Sequence, residues 1–142
     1  MMEYIIRTLL LLDGFLLVKQ GTLYIRTPGM ALLKEEGLPQ KGPGMDIVVS
    51  FLGLSYFSIG MFNLLASLKF GFEESCYILM FSGFFFHIGM ATVRDYHSMK
   101  IYPIIGLPKI LEGIIRKNNK IQLTIGLTCF TTGMLGFICK QW

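Results

Sequence analysis

The chain has 142 residues, of which 53% are hydrophobic, and its mean hydropathy is +0.58. That is above the roughly 45–50% apolar share of ordinary soluble domains and points to lipid rather than water as the solvent. Only 15% of residues are charged and the net charge is +4. The cations flank apolar blocks instead of clustering, which argues for membrane topology and against a nucleic-acid surface. Cys76, Cys129 and Cys139 form no CxxC, are odd in number, and lie in or beside apolar segments, so neither a disulfide framework nor a zinc site is expected.

The first apolar block, residues 2–24, carries Arg7, Asp13 and Lys19. It superficially resembles a signal peptide, but Glu3, Asp13 and the lack of an A-x-A cleavage site predict a retained helix. Glu3 and Arg7 are spaced i,i+4 near its end, where they can pair and reach headgroups. A Pro/Gly-punctuated linker follows, with room for a short helix over 28–36. The second span, 46–68, has no charged residue from Ile47 to Leu68, enough for the ~20 residues a helix needs to cross a bilayer core. Asp46 is its expected N-cap and Lys69 marks its end. A short link, KFGFEE, predicts that the second and third spans are antiparallel neighbours.

The third span, 75–93, is framed by Glu73, Glu74 and Arg94, and the fourth, 121–139, by Lys120 and Lys140. Between them, Ile110, Leu111, Ile114 and Ile115 repeat at helical spacing opposite Lys109, Glu112 and Arg116, after Pro108. This predicts an amphipathic interfacial helix over 108–117. Three spans with an interfacial N-terminal helix are the fallback. With four spans, ten basic residues lie on the side of the two long loops and three on the other. The positive-inside rule then puts the long loops on the cytoplasmic, matrix or stromal side.

Gly53, Gly60 and Ser67 recur every seven residues in the second span, with Asn63 on the adjoining turn. Gln122, Gly126, Cys129, Gly133 and Gly136 form a similar stripe in the fourth. Small residues let helix backbones approach in lipid, where apolar burial gives no net drive. The stripes serve either packing within the chain or docking onto another subunit. Asp13 is costly, because a carboxylate near mid-membrane costs ~2.5–3.5 kcal/mol even on insertion scales. A structural bond or ion pair is the default, and a proton or ion path with His87 the sharper alternative. His87 could ligate haem or chlorophyll through an open axial position. Its only possible bis-His partner, His97, lies about 15 Å further along the same segment. A neutral imidazole bonded to another helix is the preferred expectation, with Asp13, Asn63 and Gln122 as candidate partners.

No HExxH, GxSxG or phosphate-binding glycine loop occurs, and there is no Cys-His pair at a defined spacing. Arg94, Asp95 and His97 could meet a lipid headgroup, although a solvated helix end is the simpler reading. The stretches DGFLLVKQGTLYIRTPGMALL and DIVVSFLGLSYFSIGMFNLLA, a glycine-bearing helix running into a proline loop and then a Gly-x6-Gly helix, resemble the DoxX-like small four-helix membrane proteins, including the ergosterol-biosynthesis scaffold group. Those families often place an arginine where this chain has Asp46. The resemblance implies a four-helix bundle and an accessory or scaffolding role, and no site residue is carried over from it.

The expected fold is therefore all-α, an integral membrane four-helix bundle with an interfacial amphipathic helix between spans three and four. The expected function is a non-catalytic accessory subunit of a larger membrane complex, of the respiratory-chain or ATP synthase kind, in the mitochondrial inner membrane. Endoplasmic reticulum and plastid membranes are the alternatives. The rival functions are a lipid-, sterol- or quinone-associated scaffold, which a cavity lined by the Phe81–Phe86 cluster would favour, and a small proton-linked transporter. No cofactor and no metal is expected, and the expected partners are lipids and other membrane subunits. The interaction candidates are Asp13, Asn63, His87, Arg94, Gly53, Gly60, Gly126 and Gly133.

Overall fold

A computed structural model describes residues 1–31, 43–93, 95 and 109–140. Those residues form an all-α bundle. Helix α1 is Met2–Arg26, α2 is the single turn Pro28–Ala31, and α3 is Pro43–Lys69. Helix α4 runs Phe72–Val93, α-helical over Phe72–Phe81 and π-helical over Ser82–Gly89. Helix α5 is Lys109–Lys140. Four of these helices are long and apolar enough to cross a membrane, so the chain is an integral, multi-pass membrane protein.

The bundle is built from two antiparallel pairs, α1 with α3 and α4 with α5. Glycine sets both. A Cβ on Gly21 would stand 2.5 Å from Phe57 N and 2.6 Å from Gly53 O, and one on Gly60 would stand 2.8 Å from Gly14 O. The contact moves seven residues forward on α1 as it moves seven back on α3, so one seven-residue glycine spacing faces another. In the second pair, a Cβ on Gly83 would stand 2.7 Å from Gly126 O, while Gly133 backs onto Cys76 and Met80. The bundle's outside is rich in large apolar side chains, such as Phe15, Phe51, Phe62, Phe84 and Phe85, which suits lipid. Thr124, Thr128 and Thr131 face outward on α5 with their hydroxyls donated to carbonyls one turn back, so no polar hydrogen is left for the lipid to solvate.

Several details differ from the sequence expectations. The segment expected as a separate interfacial helix is continuous with the last span from Lys109. No glycine or proline interrupts the chain between Ile114 and Thr124, and Asn119 is buried and donates to Asp95 near the end of α4. Asp46 lies inside α3, which starts at Pro43, rather than capping it. The link between α3 and α4 is two residues, Phe70 and Gly71, because the acidic pair Glu73 and Glu74 forms the first turn of α4, where the helix dipole favours it. Of the helix expected over 28–36, Pro28–Ala31 is observed and the rest lies outside the described residues.

Arg7 pairs with Glu3 as the spacing suggested, with Nε donating to Glu3 Oε1 at 2.9 Å. It does more than reach for headgroups. Its guanidinium also donates to Ser67 O at 2.8 Å and to Phe70 O at 3.1 Å, satisfying carbonyls at the C-terminal end of α3 that have no partner within the helix.

Candidate functional site

Five polar side chains from all four spans meet inside the bundle. Asp13 is 2% exposed, Asn63 and Ser82 are 0% and His87 is 1%. Asp13 supplies the centre. Ser82 Oγ donates to Asp13 Oδ2 at 2.6 Å, and Asn63 Nδ2 donates to the same oxygen at 2.8 Å and to Ser82 Oγ at 3.0 Å. His87 Nε2 lies 2.6 Å from Asp13 Oδ1, and His87 Nδ1 lies 2.5 Å from Gln122 Oε1.

Both ring nitrogens of His87 thus face oxygen acceptors, while Asp13 receives two donors on its far oxygen. A donor at Nε2 joins those of Ser82 and Asn63, so the Asp13 carboxylate is met by three side chains inside the bundle. One buried acceptor of the group, Asn63 Oδ1, makes no hydrogen bond among the described residues.

The local fold explains the convergence. Along the bundle, the polar centre lies between an apolar cluster around Ile6, Leu10, Ala66 and Leu79 and a second around Tyr24, Ala31 and Val49. The π-helical stretch of α4 puts Ser82 and His87, five residues apart, on one face, because a wide turn closes over five residues rather than four. Such turns are rare and recur at functional positions. Close contact of Gly126 with His87 Cβ and Gly83 O brings Gln122, one turn earlier on α5, within reach of the ring.

Of the sequence candidates, Asp13, Asn63 and His87 come together, although Asn63 meets His87 only through Asp13. Gly53, Gly60, Gly126 and Gly133 all face inward, against α1 or α4. Both small-residue stripes are thereby taken up within the chain. Arg94 and His97 lie outside the described residues. Asp95 accepts from Asn119. Ser82 was not singled out from sequence.

The Phe81–Phe86 cluster divides between the outside and the inside of the bundle. Phe81, Phe84 and Phe85 are about half exposed and stack on one another and on Phe130, while Phe86 turns inward against Tyr56. A cleft of about 490 Å³ lies elsewhere, between α1 and α5, with His87 and Gln122 at its floor.

No group of three or more metal-ligating side chains occurs among the described residues. No family model, no curated protein and no solved structure matches the chain. What the arrangement can do chemically is hold four helices together through charge-assisted bonds, or hold and pass a proton between His87 and Asp13.

Proposed function

We propose that this protein is a non-catalytic structural subunit of a larger membrane assembly. The observation that carries this reading is the Asp13-centred network, to which each of the four spans contributes and in which both Asp13 oxygens are engaged by side chains of α3 and α4. Asp13, Asn63 and Ser82 line no part of the cleft and tie helices to one another, as intramembrane polar groups that pair within a bundle do. The glycine stripes are occupied inside the bundle, so a partner meets the outer apolar faces around Phe51 and Phe84 instead. The host we propose is a respiratory-chain or ATP synthase complex of the mitochondrial inner membrane, with the basic loops on the matrix side.

The test is native electrophoresis of membranes solubilised in mild detergent. The 16.1 kDa chain is expected to migrate with a much larger complex of that kind. Recovery as a free monomer overturns the reading.

A proton-linked transporter is the second reading. It is favoured by one observation: His87 belongs both to the buried titratable pair and to the floor of the cleft. Vesicles reconstituted with the protein and a trapped pH dye would then show a proton leak abolished by Asp13→Asn. Vesicles no leakier than protein-free ones reject it.

A further inference from the structure

The cleft between α1 and α5 has a floor, walls and a charged rim of different chemistry. His87 and Gln122 form the floor. Leu16, Leu23 and Ile125 make apolar walls. Lys19 and Arg26 also line it from α1, beside the neutral Gln20 and Thr22, seven residues apart and so on one face, about 10 Å apart along the helix axis. Arg26 ends α1, and Lys19 lies two turns further into the apolar span.

Three observations give the cleft a positive character. Among the described residues no acidic one lines it. Among the described residues neither Lys19 nor Arg26 is ion-paired. The one carboxylate nearby on α1, Asp13, is engaged by His87, Ser82 and Asn63 behind the floor. Gln122 uses only Oε1, on His87, and its amide NH2 makes no hydrogen bond among the described residues.

We propose that this cleft binds one acidic glycerophospholipid from the leaflet on the basic side. The phosphate sits between Lys19 and Arg26, where attraction is stronger than in water. The Gln122 amide is a further donor, and an acyl chain runs along Leu16 and Ile125 toward the bilayer centre. Apolar walls exclude a free inorganic anion as the fitting ligand. A zwitterionic head would bring an ammonium that finds no carboxylate among the described lining residues. The site is independent of whether the chain belongs to a larger assembly.

The full-length protein, delipidated in a mild non-ionic detergent, is titrated with phosphatidylglycerol, phosphatidylcholine or oleate, and bound lipid is counted by native mass spectrometry. The expected result is one phosphatidylglycerol per chain, bound at least tenfold more tightly than phosphatidylcholine. The double variant Lys19→Gln/Arg26→Gln should lose that tenfold preference, and Lys19→Arg should keep it. Lys120→Gln removes an exposed cation on the same side of the membrane and should change nothing. Equal binding of the two phospholipids overturns the proposal, as does a loss with Lys120→Gln matching that of the double variant. Oleate binding one to one and as tightly as phosphatidylglycerol also overturns it, in favour of a fatty carboxylate. Both replaced side chains are exposed, and an unchanged melting temperature and helix content show that the double variant is folded.

Discussion

Ser82 Oγ and His87 Nε2, on one helix and five residues apart, each lie 2.6 Å from a different oxygen of the Asp13 carboxylate. Neither oxygen is left to lipid, and Asn63 shares the Ser82 side. Removing Asp13 alone leaves His87 Nε2 without its partner and strands two donors, Ser82 Oγ and Asn63 Nδ2. Breaking one partner out of a buried pair costs about 3–5 kcal/mol in soluble proteins, and hydrogen bonds between membrane helices run nearer ~0.6–2 kcal/mol. Asp13→Ala should therefore destabilise the bundle by about 3 kcal/mol and His87→Leu by about 2 kcal/mol. The double variant Asp13→Leu/His87→Leu should cost less than the two single leucine changes added together, because a well-packed apolar pair needs no desolvation. Unfolding in mixed micelles of rising SDS fraction measures all of these. Strict additivity would show that the pair is uncoupled.

A paired glycine test separates close packing from helix propensity. Gly21→Ala puts a methyl 2.5 Å from Phe57 N, so α1 and α3 must part. The expected loss is about 1–3 kcal/mol, typical of overpacking. A Cβ on Gly113 of α5 meets nothing within 4 Å. Gly113→Ala should stabilise by roughly 0.5–1 kcal/mol through backbone entropy alone. The two melting temperatures should move in opposite directions.

Arg7 and Glu3 form a pair whose members are not equal. Glu3 is half exposed and bonds only Arg7, so Glu3→Ala should cost no more than about 0.5 kcal/mol. Arg7→Ala also strips two carbonyls at the end of α3 of their donor and should cost about 1–2 kcal/mol. Limited proteolysis at the Phe70–Gly71 link reads this locally, and cleavage should speed up in the arginine variant well before it does in the glutamate one.

The four spans and the cost of Asp13 are legible in the sequence because length and hydropathy report them directly. The partner set of Asp13 is less so. At 3.6 residues per turn, Ser82 and His87 stand well apart around a helix, and only the π-helical stretch turns them to one side. No residue pattern in SGFFFHIG announces that wide turn. The glycines of α1 are similarly hidden: Gly14 and Gly21 have the same seven-residue spacing as Gly53 and Gly60, but their significance emerges when the two helices are set antiparallel. The amphipathic stretch after Pro108 reads as separate because its polarity changes at Lys117, yet a change of polarity does not end a helix. A breaker does, and none is present there.

The Asp13 network also has an order in time. Synthesis proceeds from the N-terminus, so Asp13 reaches the membrane 74 residues ahead of His87, and Gln122 follows another 35 behind that. The α1–α3 hairpin can close on its glycines with only Asn63 at the carboxylate. The α4–α5 hairpin then brings Ser82, His87 and Gln122 together against it. A chain interrupted between the hairpins would carry an under-satisfied acid into the bilayer, a defect that marks the half-made protein as unfinished.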